Sequence, residues 1–206
     1  ELGLSLMATL VLDGVSPDSP LVAKNPHWFA SADDMLDMGL DDAPESSVVL
    51  DEGVAPFAWT RRPDGLLSFA LSIVEWLLDL GFDAFLRHAA HRVPGSVWGE
   101  IIRRARTRHP EVRFLADTLG CTAFQTRDMA RHGFQAVLNS SKWWDFHQGW
   151  LMSQYSLVRD VLPSISFPES HETERLSQEV GGNVAALRQR WFFSALFATG
   201  AMMPVG

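Results

Sequence analysis

Polar side chains that could do chemistry follow short apolar runs at several points in this sequence. His88 comes just after the apolar pair Phe85-Leu86, Asp117 closes the run "VRFLAD", and Glu172 follows "SISFPES". Imidazole and carboxyl groups serve as general acids and bases and as metal ligands. If the apolar runs are parallel strands of one sheet, their ends lie along one edge, and these side chains are expected to lie close together.

The segments that must position these residues alternate between two patterns. Short apolar runs without polar alternation are typical of strands that are buried on both faces, and the longer segments have apolar residues at helical spacing. Repeated alternation of this kind predicts an α/β fold with a parallel sheet of about six strands. The predicted strands are 4–12, 82–86, 112–118, 134–140, 164–170 and 201–206. The predicted helices are 66–81, 94–109, 122–133 and 188–199. The segment 47–65 is predicted to be irregular.

Composition excludes several classes of protein. The 206 residues fit one domain over 1–206, and the formal net charge of −8 argues against a nucleic-acid partner. No apolar run reaches the ~18 residues of a membrane helix, so no membrane partner is expected. The single cysteine, Cys121, fits a reducing compartment, and a cytoplasmic location is expected. Because the chain starts at Glu1 and stops after "AMMPVG", we interpret it as a fragment.

Four ordered motifs resemble those of the α-amylase superfamily of glycoside hydrolases and transglycosylases. "LMATLVLDGVSPDSPLVAKNPHWF" is similar to the third-strand motif and "GFDAFLRHAAHRVP" to the fourth. "VRFLADTLG" is similar to the fifth and "SFPESHETERL" to the seventh, while "NSSKWWDF" and "FATGAMMPVG" match the sixth-strand and eighth-strand regions of bacterial glucan-processing members. The resemblance implies an incomplete (β/α)8 TIM-type barrel, about strands three to eight. It also implies hydrolysis or transglycosylation of α-glucans.

The resemblance also assigns the catalytic positions, and every one of them is substituted. His88 stands at the nucleophile position, normally Asp, and Leu86 at the position of an Arg two residues earlier. Asp117 replaces the Glu of the acid/base position, and Glu172 replaces the Asp of the transition-state stabiliser. In the third-strand motif, Thr9 replaces an Asp, and Asp13-Gly14 stand where Asn-His is usual. His171, a sugar-contacting position, is retained.

These substitutions predict that the domain is inactive as a retaining glycosidase. A retaining mechanism needs one carboxylate as nucleophile and one carboxylic acid as proton donor. An imidazole at position 88 cannot form the glycosyl ester, and Asp117 is one methylene shorter than Glu. Misplacement of about 1 Å can cost ~100-fold in rate. An inverting reaction between Asp117 and Glu172 is left open, since it needs no nucleophile.

Further residues are candidates for binding α-glucan or a maltooligosaccharide, the expected partner. Aromatic faces suit sugars, and a lysine suits phosphate. The resemblance implies, as one alternative, a transferase that uses a maltosyl-phosphate donor. A non-catalytic glucan-binding or regulatory pseudoenzyme is another. His88, His171, Asp117 and Glu172 could instead ligate a metal, but no motif has a metal-ligand spacing, so neither a metal nor a cofactor is predicted. The candidate substrate-binding residues are His171, Asn139, Lys142, Trp143, Trp144 and Asp13.

Overall fold

The computed structural model describes residues 4–30, 53–88 and 92–203. Six parallel strands form one sheet in the order β1-β4-β5-β6-β7-β8, which confirms the predicted α/β class and the number of main strands. Each of these strands pairs with the next one in that order, in parallel register. Their bounds are Met7–Leu10 (β1), Ala84–Arg87 (β4), Arg113–Asp117 (β5), Ala136–Leu138 (β6), Ser164–Ser166 (β7) and Gly200–Ala201 (β8).

Helices follow the strands along the chain. The longer ones, α2, α3 and α7, have 14 residues each and lie close to the predicted positions. The helices are Pro20–Lys24 (α1), Leu66–Asp79 (α2), Gly95–Arg108 (α3), Ala123–Asp128 (α4), Trp150–Val158 (α5), Leu176–Glu179 (α6) and Val184–Phe197 (α7). Among the described residues, no helix has the length and apolar content needed to cross a bilayer.

Local signals explain where these helices begin and end. Gly81 has φ +96° just after α2, and Phe82 N–H bonds back to Leu77 O at 3.1 Å, as in a Schellman motif. Thr122 and Gln125 form a capping box at the start of α4. Asn183 caps α7 by accepting hydrogen bonds from Ala185 N and Ala186 N, so this helix begins before the predicted residue 188.

The hydrophobic core lies between the helices and one face of the sheet. Alternation along the strands sends Leu10, Phe85 and Phe114 to this outer face, where they are buried. The rings of Phe85 and Phe114 lie 5.1 Å apart, and both belong to one cluster with Val74 of α2 and Ile101 of α3. The helices therefore cover the outer face, and the strand ends are left to carry the polar residues.

Several elements differ from the sequence-based expectation. Gly14–Val15 (β2) and Ala55–Pro56 (β3) form a small antiparallel sheet, although 47–65 was predicted to be irregular. Helix α5 lies in a segment for which no element was predicted. The part of the irregular prediction before residue 53 lies outside the described residues, as do the last three residues of the predicted final strand.

Candidate active site

Three side chains from the substituted catalytic positions meet at the carboxyl ends of the strands. His88 Nδ1 lies 3.2 Å from Glu172 Oε1 and 4.0 Å from Asp117 Oδ2. One donor atom from each of the three residues lies within 4.8 Å of the other two. The structure thus brings together residues that are up to 84 positions apart in the sequence.

Strand register places two of these residues on adjacent strands. His88 follows β4, and its N–H donates to Leu10 O at 3.1 Å, which extends the β1–β4 pairing by one residue. Asp117 is the last residue of β5 and accepts a hydrogen bond from Leu119 N–H at 3.0 Å through Oδ1. Both side chains therefore stand on backbone that is fixed by the sheet.

Glu172 reaches the same place from the loop after β7. Its N–H donates to Ser170 Oγ at 3.2 Å, and Ser170 N–H donates to Thr173 Oγ1 at 2.9 Å. Glu169, which is buried, pairs with Arg175 at 3.1 Å and accepts from the backbone of α6. These local contacts fix the loop, whereas the Glu172 side chain remains about one-third exposed at 35%.

The environment changes the acidity of Asp117. Burial raises the pKa of its carboxyl group above the ordinary value, and the nearby charge of Glu172 raises it further. The hydrogen bond from Leu119 and the two histidines, His88 and His171, act in the opposite direction. A carboxyl group that holds its proton at higher pH is suited to proton donation, which is the role that the motif resemblance assigns to position 117.

Arg87 does not replace the missing Arg of the fourth-strand motif. Leu86 pairs in register with Thr9 and Leu115, while Arg87 has the opposite side-chain direction and is 1% exposed. The Arg87 guanidinium donates to Val93 O at 2.6 Å and lies 4.9 Å from the centre of the Trp98 ring. Its positive charge is thus directed into the outer core instead of towards His88.

Asp13 lies after β1 and is buried against Arg92. Arg92 Nη1 donates to Asp13 Oδ2 at 2.9 Å. The backbone around Asp13 is fixed by Phe57 N–H, which donates to Asp13 O at 2.9 Å, and by the Trp59 indole, which donates to Leu12 O at 2.6 Å. The sequence analysis missed Arg92, because a partner 79 residues away leaves no signal in local spacing.

Two predicted substrate-binding residues make contacts within the fold. Asn139 Nδ2 donates to Ser166 Oγ at 2.9 Å and Ser164 Oγ at 3.2 Å, both in β7. Lys142 is buried, and its ammonium group pairs with Glu179 and donates to a backbone carbonyl. Their polar groups therefore connect β6 and the segment after it to neighbouring elements.

The other candidates differ in their exposure. Trp143 is 46% exposed and meets Phe167 edge-on, with ring centres 5.7 Å apart. The Trp144 indole donates to Gln148 O at 2.7 Å, and its ring packs against Phe193 of α7. His171 is exposed, with Nε2 3.7 Å from Glu172 Oε1. Trp143 and His171 are thus the most exposed of the candidates.

Comparison with known proteins relates this chain to enzymes that are named for reactions of α-glucans. No protein-family model matches the sequence. The chain is 26% identical over 211 residues to the alpha-1,4-glucan:maltose-1-phosphate maltosyltransferase of Burkholderia pseudomallei, a match that covers 100% of the chain and 18% of that protein. It is 28% identical over 143 residues to maltosyltransferase 1 of Streptomyces coelicolor, covering 69% of the chain and 20% of that protein.

Solved structures show the same fold over about half of their length. An alpha-amylase from Lactobacillus plantarum superposes with a TM-score of 0.70 and 16% identity, covering 97% of this chain and 50% of that one. The cyclic alpha-maltosyl-(1→6)-maltose hydrolase from Arthrobacter globiformis, in complex with maltose, superposes with a TM-score of 0.67 and 13% identity, covering 97% and 49%. The resemblance to the α-amylase superfamily is confirmed, and the fold is an incomplete barrel of that type. The chain spans about a fifth of the length of the curated relatives.

Proposed function

We propose that this chain is an α-amylase-like domain of α-glucan metabolism that does not carry out retaining glycoside hydrolysis. The observation that supports this most directly is the contact of 3.2 Å between His88 and Glu172. A retaining enzyme needs a carboxylate nucleophile with a free approach to the sugar. Here an imidazole stands at the nucleophile position and lies against the carboxylate of the stabiliser position.

The separation of the two carboxylates argues against an inverting reaction. Inverting enzymes hold their carboxyl groups about 6.5–9.5 Å apart so that a water molecule fits between sugar and base. In this site, a carboxylate oxygen of Asp117 and one of Glu172 lie no more than 4.8 Å apart. His88 Nδ1 lies 3.2 Å from Glu172 Oε1 and 4.0 Å from Asp117 Oδ2, so the imidazole competes with a nucleophilic water for the space beside both carboxylates.

The proposed ligand is an α-glucan or maltooligosaccharide bound without turnover. Trp143 offers a half-exposed aromatic ring after β6, and His171 offers an exposed imidazole beside Glu172. Aromatic faces bind the apolar faces of sugars, and a few polar groups then fix the orientation. The relatives named as α-1,4-glucan transferases support this class of ligand.

A second candidate function is transfer of a maltosyl group from maltose 1-phosphate. It is favoured by the names of the relatives, which act with this donor. The site offers less support, because Lys142, the predicted phosphate-binding residue, is buried and paired with Glu179.

A cytoplasmic location is also part of the proposal. Cys121 is the only cysteine of the chain, so no internal disulfide is needed for its stability. Fractionation of cells that produce the protein would test this.

Two activity assays test the proposal. The chain is incubated with maltooligosaccharides while reducing sugar is measured, and with maltose 1-phosphate plus glucan while phosphate release is measured. We expect neither activity. The fourfold variant Leu86→Arg, His88→Asp, Asp117→Glu and Glu172→Asp restores the groups of the retaining mechanism and serves as the comparison. Turnover by the parent chain in either assay would overturn the proposed loss of activity.

A binding assay tests the second half of the proposal. Titration calorimetry with maltoheptaose is expected to show binding by the parent chain. Trp143→Ala is expected to weaken it by about 5- to 150-fold, since stacking on an aromatic ring contributes about 1–3 kcal/mol by analogy with stacked bases. Trp76→Ala removes another exposed tryptophan, on α2, and serves as the control. Equal binding by all three proteins would contradict a glucan site at Trp143.

A further inference from the structure

We propose that His88, Asp117 and Glu172 form a binding site for a divalent zinc ion. A tetrahedral zinc site places nitrogen and oxygen ligands about 2.0–2.2 Å from the ion, and therefore about 3.3 Å from one another. In the structure the His88 to Glu172 distance is 3.2 Å and the His88 to Asp117 distance is 4.0 Å. All three donor atoms lie within 4.8 Å of each other. A shift of under about 2 Å in the Asp117 or Glu172 side chain would bring them to the ligand spacing of a zinc site.

The charges at this position favour a cation. Asp117 is 5% exposed, and one of its carboxylate oxygens lies within 4.8 Å of a Glu172 oxygen, so two acidic groups share a site with little water. In the described part of the chain, the ion pairs of Asp117 and Glu172 are formed with His88 and His171 only. Leu86 occupies the position where the superfamily motif has an arginine. A divalent ion would supply the positive charge that these two carboxylates lack.

The identity of the ligands selects the type of ion. Calcium and magnesium prefer sites made of oxygen atoms, whereas one imidazole with two carboxylates suits zinc. A fourth position could be filled by water or by His171, whose Nε2 lies 3.7 Å from Glu172 Oε1 and which is exposed enough to rotate.

The supporting backbone makes the site preorganised. His88 and Asp117 project from the ends of two hydrogen-bonded strands, and the Glu172 loop is fixed through Ser170 and Thr173. Ligands on rigid elements keep their relative positions before the ion arrives. This inference does not depend on glucan binding, and its test uses zinc alone.

Titration calorimetry of the chelator-treated chain with zinc chloride is the experiment. We expect one zinc ion per chain and a rise in melting temperature with zinc, since a ligand that binds only the folded state stabilises it. His88→Ala and Asp117→Asn are each expected to weaken zinc binding by at least about 10–100-fold. A loss of this size is typical even when the substituted residue only hydrogen-bonds to a metal ligand. His147→Ala, at an exposed histidine in the loop before α5, is the matched control and is expected to bind like the parent.

Two results would overturn the proposal. One is a folded parent chain that takes up no zinc in the titration. The other is zinc binding with the parent's affinity in His88→Ala or in Asp117→Asn. Circular dichroism establishes that each variant is folded. Glu172→Gln tests the third ligand at a partly exposed loop position, where the substitution leaves the strands unchanged.

Discussion

At the level of single residues, Arg87 combines a charge with a position that has almost no access to water. Its guanidinium contacts the Met129 sulfur at 3.3 Å and a backbone carbonyl, while Nε is buried with no hydrogen-bond partner among the described residues. Burial lowers the pKa of Arg87 to about 9. The side chain therefore fills space between the sheet and α3 but places an incompletely satisfied charge there.

Paired substitutions of Arg87 separate volume from charge. Arg87→Ala is expected to lower the free energy of unfolding by about 3 kcal/mol, because it leaves a cavity. Arg87→Met keeps most of the volume and removes the buried charge, so its stability is expected within about 1 kcal/mol of the parent. Urea unfolding measures both variants. If Met is as damaging as Ala, the polar contacts of the guanidinium outweigh its packing.

Cys121 is expected to react slowly in the folded chain. Burial raises the pKa of its thiol to about 11, so the thiolate, which is the reactive form, is scarce at pH 8. Its reaction with a disulfide reagent at pH 8 is expected to be about 100-fold slower than that of an unfolded thiol with a pKa near 8.5. The rate in the folded chain should continue to rise with pH up to about 11. A rate equal to that in urea would contradict the shift.

At the level of elements, the end of α2 depends on the backbone of Gly81. Its φ of +96° disfavours residues with a Cβ, yet a Cβ there would meet no other atom within 4 Å. Gly81→Ala is therefore expected to cost about 1–2 kcal/mol through backbone strain alone. Gly149 also has free space around it, but its φ is −78°, so Gly149→Ala is expected to be near neutral. Thermal melting compares the two, and equal losses would contradict this explanation.

The elements that the sequence predicted well are those with a strong local signal. Continuous apolar runs mark β4 and β5, and the helical spacing ending at Gly81 marks α2. The two-residue strands β2 and β3 leave no such pattern, because their pairing is decided by contacts between distant segments. The ends of the strands could be predicted as the candidate site, but the pairing of Lys142 with Glu179 could not, because the two residues lie on separate elements.

At the level of the whole molecule, the sheet of the described residues has two open edges. β1 pairs only with β4, and β8 pairs only with β7. Along β1, Met7 and Thr9 alternate with Leu10 and face away from the helix-covered side, and both are exposed. Met7 is 47% exposed and Val11, which follows the strand, is 54% exposed. The first strand thus combines unpaired backbone groups with apolar side chains.

This combination predicts that the isolated chain associates. Unpaired strand edges are templates for pairing with another chain, and charged residues on the edge oppose it. Light scattering after gel filtration is expected to give a mass above the 23.0 kDa of one chain, increasing with concentration. Met7→Lys combined with Val11→Lys is expected to shift the mass towards 23.0 kDa. Phe124→Lys changes an even more exposed apolar residue, on α4, and should leave the association intact. A parent chain that is monodisperse at 23.0 kDa would show that the edge of β1 does not drive association.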